Sequence, residues 1–182
     1  MQTLYLIRHT TPDIAPGICY GQLDIDVADS FETEAHNVSK WLPPVDLIIT
    51  SSLKRASRLA EYLAQARRCE LRGDARLMEK HFGAWEGQAW DSIARGEIDA
   101  WAADVMGYAP PGGESAQQLM RRMQILLRDV AQLSQQRIAL VAHGGSIRAM
   151  LALIGEVPLV DILGWEVGYG AVIGLRNFVS RG

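Results

Sequence analysis

Short apolar runs alternate with longer amphipathic segments along the chain. The runs cover residues 3–7, 46–50, 138–142 and 171–175, and a further short strand, which also carries charged residues, is predicted at 69–72. The run at 138–142 is continuously apolar, which is typical of a strand covered on both faces. Between the runs, apolar residues recur at helical spacing. This alternation predicts a three-layer α/β/α sandwich with a largely parallel central sheet.

Start and stop signals bound three of the predicted helices. The first ends at the prolines of residues 43–44, the second carries Arg55 in its first turn, and the third follows a Pro- and Gly-rich break at 110–115. The predicted capping residues are Asp29 with Glu32 for the first helix, Ser51 or Ser52 for the second, and Ser115 with Gln118 for the third. A further helical segment is predicted at 89–103, after a long loop that holds Glu79.

Bulk composition narrows the class of protein. A chain of 182 residues with 48% hydrophobic and 21% charged residues predicts a single globular domain spanning residues 1–182. The net charge of −3 gives no basic surface for nucleic acid, and no apolar run approaches the roughly 20 residues that a membrane span needs. Cys19 and Cys69 form no CxxC pattern, so we expect free thiols and a cytoplasmic protein. The sequence does not decide between a monomer and a homodimer.

Two histidines, His9 and His143, directly follow predicted strands. Ligands of open α/β sheets bind outside the carboxyl ends of the strands, so both side chains are expected at one crevice. Arg8 adjoins His9, and Arg55 lies at the start of a helix, where free N–H groups and the helix dipole favour anions. Any one of these residues alone is as well explained by a structural role. Together they predict a phosphoryl site, because guanidinium groups match phosphate oxygens bidentately.

The chain lacks the motifs of other phosphate chemistries. It has no GxxxxGK[ST] loop, no GxGxxG fingerprint and no HExxH pair, and neither cysteine lies in a Cys-x5-Arg loop. We therefore expect no metal and no cofactor, and a nucleophile supplied by the protein. His9 is the best candidate, because a neutral imidazole offers a lone pair at neutral pH. Glu79 is the candidate general acid for the leaving alkoxide and general base for the attacking water.

Five ordered segments resemble the histidine phosphatase (phosphoglycerate mutase-like) superfamily. The segments are LIRH at 6–9, SLKRA at 52–56, LMEKHFGAWEG at 77–87, PGGES at 111–115 and VAHG at 141–144. The resemblance implies the phosphoglycerate mutase-like fold over nearly the whole chain and a metal-independent phosphatase, a hydrolase of phosphomonoesters. It also implies the roles of five residues: His9 as the phosphorylated nucleophile, Glu79 as the proton donor, and Arg8, Arg55 and His143 as ligands of the phosphoryl oxygens.

Within the superfamily, GICYGQLD at 17–24 resembles the alpha-ribazole phosphatases, which remove a 5′-phosphate during assembly of the lower ligand of cobalamin. This resemblance implies alpha-ribazole 5′-phosphate as the small-molecule substrate and a role in cobalamin biosynthesis. Loop position makes Thr10, Gln22 and Gly144 candidate substrate contacts. The chain departs from the common RHGET pattern with TTP at 10–12, which leaves the substrate contacts of that loop open.

Three other functions stay open on the residues alone: a broad-specificity phosphatase, a phosphoglycerate mutase, and a non-catalytic domain that binds a phosphorylated ligand. The mutase is disfavoured because the segment 79–110 is short beside the insertion that shields the phosphoenzyme in mutases. The intact set of nucleophile, acid and cationic ligands argues against the non-catalytic domain. The remaining candidates are interpreted as ordinary surface or packing residues: His36, His81, Trp85, Trp90 and Trp101.

Overall fold

The computed structural model describes residues 2–178, in which a five-stranded sheet carries helices on both faces. The strands are β1 (Gln2–Arg8), β2 (Leu47–Thr50), β3 (Glu70–Gly73), β4 (Arg137–Ala142) and β5 (Val172–Phe178). Their order is β3-β2-β4-β1-β5, and each neighbouring pair is parallel except β1 with β5. The predicted largely parallel sheet is confirmed, and each predicted strand is present with its ends shifted by at most three residues.

Helices form the two outer layers. They are α1 (Phe31–Trp41), α2 (Lys54–Arg67), α3 (Arg95–Ala103), α4 (Ala116–Ala131), α5 (Gly144–Gly155) and α6 (Leu159–Ile162). The apolar faces of α1 and α2 pack on one side of the sheet, and those of α4 and α5 pack on the other. Among residues 2–178, none of these helices is long and apolar enough to cross a membrane.

Alternate residues of the central strands supply the two halves of the core. Leu6 of β1 and Leu140 of β4 are fully buried in the cluster with α4 and α5. Their neighbours Ile7 and Val141 are fully buried in the cluster with α1 and α2. Because side chains alternate between the faces of a strand, a strand covered on both faces must be apolar throughout. The continuous apolar runs of the sequence follow from this burial.

The predicted caps of the first helix are wrong. Helix α1 begins at Phe31 and is preceded by Ser30, so Asp29 lies one residue too early to cap it. The Ser30 hydroxyl instead donates a hydrogen bond to the Glu34 carboxylate (2.6 Å). The same carboxylate group accepts a hydrogen bond from the backbone N–H of Thr11 (2.9 Å), which ties α1 to the loop after β1.

The predicted caps of the second helix, α2, are also wrong, whereas the capping box predicted for the third, which is α4 in the structure, is confirmed. Helix α2 begins at Lys54 and its N-cap residue is Leu53, so Ser51 and Ser52 both lie too early to cap it. The Ser51 hydroxyl is hydrogen-bonded to His143 instead, and Ser52 is exposed. At α4, Ser115 and Gln118 form the reciprocal capping box that the sequence predicts. The segment predicted as helical at 89–103 contains a 3-10 turn (Trp90–Ser92) followed by the shorter helix α3.

Candidate active site

The candidate site lies where β1, β2 and β4 end. His9 follows the last residue of β1, His143 follows the last residue of β4, and Ser51 follows the last residue of β2. The three strands are adjacent in the sheet, and their parallel direction brings these ends to one edge. The backbone N–H groups of His9 and Ser51 both donate to β4 carbonyls, which fixes the chain on either side of His143.

His9 is held as a neutral imidazole with a free lone pair. Its side chain is 1% exposed, and Nδ1 lies 2.7 Å from the Thr10 carbonyl oxygen. Since a carbonyl only accepts hydrogen bonds, Nδ1 carries the proton and Nε2 carries the lone pair. Burial, with Arg55 and then Arg8 adding to it, lowers the pKa of His9 to about 3, against the opposing effect of the Thr10 hydrogen bond. The side chain is therefore a competent nucleophile at neutral pH.

His143 lies against His9 and is fully buried. The two ring centroids are 5.0 Å apart, and Nε2 of His143 forms a 2.8 Å hydrogen bond with the Ser51 hydroxyl. Burial, followed by the nearby His9 and Arg55, holds the pKa of His143 well below its ordinary value. Ser51 is a site residue that the sequence does not reveal, because its partner lies 92 positions away.

The two arginines approach the histidines from different elements, Arg8 from the end of β1 and Arg55 from the start of α2. Arg55, in the first turn of α2, is fully buried and donates hydrogen bonds to the carbonyls of Gly21 (2.6 Å) and Leu23 (2.7 Å). Arg8 donates to the carbonyl of Val167, and its guanidinium lies 4.0 Å from the ring centroid of Tyr169. Both guanidinium groups are close enough to depress the pKa of His9, so the predicted cluster of positive charge is present.

Several buried polar atoms of this cluster have no hydrogen-bond partner among residues 2–178. These atoms are Arg8 Nε, Thr10 Oγ1, Arg55 Nε and His143 Nδ1. Buried polar groups are nearly always paired, because an unpaired one costs about 1–3 kcal/mol. Unpaired groups gathered beside a neutral nucleophile are the signature of a binding site for an acceptor-rich group such as a phosphoryl.

Glu79 is delivered to the same edge by the long loop after β3. Its carboxylate accepts hydrogen bonds from the backbone N–H groups of Gly145 (2.9 Å) and Lys80 (2.8 Å). A Cβ atom at position 145 would collide with Oε1 of Glu79, so a side chain there would displace this carboxylate. The five predicted catalytic residues thus converge on one edge of the sheet.

Arg122 anchors the backbone of Glu79, a role that the sequence does not reveal. Its guanidinium donates to the Glu79 carbonyl (2.8 Å) and forms a largely buried ion pair with Glu114 (2.6 Å). Gln22 donates to the same Glu79 carbonyl (2.9 Å) from the opposite loop. The only signal for this arrangement in the sequence is Glu114, which belongs to the PGGES segment.

The three predicted substrate contacts lie in or beside the cluster. Thr10 is fully buried and follows His9, and Gly144 opens α5 next to the Arg8 guanidinium. Gln22 donates a hydrogen bond to the Glu79 carbonyl, in the long loop after β3. Contact of these residues with substrate stays a prediction. His36 is exposed on α1, and His81 lies 3.8 Å from the Glu86 carboxylate at the surface.

A pocket of about 450 Å³ opens beside Glu79. Its walls are mainly apolar and aromatic and include Phe82, Trp90 and Trp101, with the cations Lys80 and Arg148 among them. The pocket adjoins the carboxyl group of Glu79, the predicted proton donor, so its position suits the leaving group of a phosphoester. The packing interpretation of Trp85 agrees with its burial in the core, but Trp90 and Trp101 in addition line this pocket.

Comparison with known proteins identifies relatives over nearly the whole chain. The family model of the histidine phosphatase superfamily (branch 1) matches residues 4–177. Glucosyl-3-phosphoglycerate phosphatase of Mycobacterium tuberculosis is 32% identical over 174 residues, which cover 87% of this chain and 77% of the relative. The probable phosphoglycerate mutase GpmB of Klebsiella pneumoniae is 32% identical over 166 residues, with the same coverage.

The solved structures include a mycobacterial glucosyl-3-phosphoglycerate phosphatase in complex with VO3. It superposes with a TM-score of 0.82 at 30% sequence identity, over 96% of this chain and 92% of that one.

Proposed function

The chain belongs to the histidine phosphatase superfamily, and from this membership we propose that it hydrolyses phosphomonoesters through a phosphohistidine formed on His9. The observation that carries the proposal is the group of unpaired buried atoms around a neutral His9 imidazole. Each belongs to one of the residues that, in this proposal, surround the tetrahedral phosphoryl group. The relative solved with VO3 supports an oxyanion site in this fold.

The reaction we propose has two steps. Nε2 of His9 attacks phosphorus, the bond from phosphorus to the ester oxygen breaks, and the protonated Glu79 carboxyl donates its proton to the leaving alkoxide. Arg8, Arg55 and His143 hold the non-bridging oxygens, where negative charge must be stabilised. In the second step, Glu79 accepts a proton from water as its oxygen attacks phosphorus. The bond from Nε2 to phosphorus then breaks and phosphate is released.

One candidate for the leaving group comes from the loop after β1. The segment 17–24 resembles that of alpha-ribazole phosphatases, and its residues Cys19, Tyr20 and Gly21 line the pocket beside Glu79. The flat walls provided by Trp90 and Trp101 suit an aromatic base. We propose alpha-ribazole 5′-phosphate, and with it a role in cobalamin biosynthesis, on this support.

The second candidate is a phosphorylated carboxylic acid. It is favoured by the names of the relatives, glucosyl-3-phosphoglycerate phosphatase and phosphoglycerate mutase, and by the two cations that line the pocket. Hydrolysis rather than isomerisation is proposed because the segment 79–110 is short beside the insertion of mutases. A broad-specificity phosphatase would accept both classes.

Phosphate release tests the proposal. Alpha-ribazole 5′-phosphate, 3-phosphoglycerate, and several sugar and nucleoside monophosphates are compared at equal concentration with a chelator present. We expect hydrolysis that His9→Ala abolishes and that His36→Ala, which removes an exposed histidine, leaves intact. Isomerisation of 3-phosphoglycerate without phosphate release would show a mutase, and inactivity on every ester would favour a domain that only binds a phosphorylated ligand.

A further inference from the structure

Lys80 buries a charged side chain in the pocket beside Glu79. The residue is only 7% exposed, and its Nζ atom lies 5.0 Å and 5.8 Å from the ring centroids of Phe82 and Trp101. No carboxylate of residues 2–178 forms an ion pair with this ammonium. Lysine is almost never buried without a partner, because removing its charge from water is costly.

Neighbouring acidic groups do not supply the missing partner. Glu114 is paired with Arg122, and the Glu79 carboxylate accepts backbone hydrogen bonds, so both attract Lys80 only from a distance. Burial, with the Glu86 charge adding to it, raises the pKa of the Cys19 thiol to about 12, so this thiol is uncharged at neutral pH. The pocket therefore contains a cation without a dedicated anion.

Two more donors of the same pocket are unpaired. Nε of Arg148 and Nε1 of Trp101 are buried and have no hydrogen-bond partner in the described part of the chain. Arg148 uses another of its nitrogens to donate to the Trp165 carbonyl (3.2 Å). Three residues that line one pocket, two of them cationic, thus each keep a donor group without an acceptor in the described part of the chain.

We propose that Lys80, Arg148 and Trp101 form a subsite for an anionic group on the leaving group of the phosphomonoester. The substrate class is then the phosphate ester of an alcohol or phenol that carries a carboxylate, whose apolar part lies against the aromatic wall. Because the Lys80 side chain is buried, the attraction between a carboxylate and its ammonium is stronger than it would be at the surface. This inference rests on the proposed phosphatase function, and of its two substrate candidates it favours the phosphorylated acid over the uncharged alpha-ribazole.

A cycle of two enzymes and two substrates tests the subsite. We compare kcat/KM for 4-carboxyphenyl phosphate and 4-methylphenyl phosphate, which have similar shapes, in wild type and Lys80→Met. For each enzyme, the preference is the kcat/KM for the carboxyphenyl ester divided by that for the methylphenyl ester. Because intrinsic leaving-group reactivity is the same for both enzymes, the change in this preference from wild type to Lys80→Met isolates the effect of Lys80. We expect Lys80→Met to reduce the preference for the carboxylate about 10- to 100-fold, mainly through KM, as for loss of a charged hydrogen bond. The exposed Lys40→Met is the matched control.

Other outcomes separate failure of the subsite from failure of the proposed function. An unchanged preference in Lys80→Met, or an equal loss on both substrates, would overturn the subsite. If wild type hydrolyses neither ester, calorimetry with 4-carboxybenzylphosphonate and 4-methylbenzylphosphonate measures the same preference as binding. Arg148→Met repeats both experiments in case Lys80→Met does not fold, with the same expected loss of carboxylate preference.

Discussion

At the scale of single residues, His9 and His143 combine burial with neighbouring positive charge. Each effect disfavours a charged imidazole. Together they keep both rings neutral as long as no anion is bound. In the proposed mechanism, the neutral state of His9 provides the nucleophile. It also links the stability of the fold to pH, because the unfolded chain exposes a histidine of ordinary pKa.

We predict that His9 makes the protein sensitive to mild acid. Its pKa is about 3 in the folded state and 6.5 as a free side chain, so the unfolded state binds the proton first as the pH falls. The stabilisation is complete above pH 6.5 and is lost as the pH falls from 6.5 towards 3. Replacement by Gln is expected to reduce the loss of unfolding free energy between pH 7 and 5 by about 2 kcal/mol. Urea titrations in buffer without phosphate or other oxyanions measure this difference.

The exposed His36→Gln serves as the matched control for this titration. A His9→Gln variant whose stability falls with pH as steeply as that of wild type would contradict a neutral His9.

Gly145 is predicted to be essential to the position of Glu79. An alanine there would displace the Glu79 carboxylate, with which its Cβ collides. Because a displacement of about 1 Å can cost roughly 100-fold in rate, we expect Gly145→Ala to lower kcat on the order of 100-fold. The comparison is with Gly96→Ala in α3, where a Cβ meets open space. Full activity in Gly145→Ala would show that Glu79 need not lie against α5.

At the scale of secondary structure elements, the N-terminus of α4 joins a capping box to the active-site loops. Ser115 and Gln118 cap the helix, while Ala116 and Leu119 of the same turns line the pocket. Ser115→Ala is expected to lower the free energy of unfolding by about 1 kcal/mol, as is typical for loss of an N-cap. Urea unfolding measures the free energy of unfolding of this variant and of the control Ser134→Ala, which replaces an exposed serine outside any helix. Equal stability of the two variants would contradict the role of the cap.

Which elements could be predicted depends on the range of the interactions that define them. The strands and the α4 cap follow from patterns within a few residues, and both are found in the structure. At α2 the helix begins one residue later than a serine cap would require, and the Ser51 hydroxyl is hydrogen-bonded to a histidine 92 positions away, which no local pattern indicates. For α1, two acceptable capping residues stand side by side, and Ser30 rather than Asp29 precedes the helix, whose first residue Phe31 is buried in the core.

At the scale of the whole molecule, sheet topology assembles the site from distant segments. His9, Arg55 and His143 could be assigned from the sequence because each stands at a strand end or a helix start, and parallel strands bring such positions together. Arg122, Lys80 and Trp101 could not be assigned in this way. The roles we propose for them come from contacts between segments distant in the sequence, such as the hydrogen bond from Arg122 to the Glu79 carbonyl 43 positions away.

The phosphohistidine is the most direct test of the account. Wild-type protein is mixed with 4-nitrophenyl phosphate, quenched in alkali within the first turnovers, and digested for mass spectrometry under conditions that preserve phosphohistidine. We predict phosphate on His9 in wild type, and neither phosphopeptide nor hydrolysis in His9→Ala. Hydrolysis that persists in His9→Ala, or a phosphoryl group found on another residue, would contradict the assignment of His9 as the nucleophile.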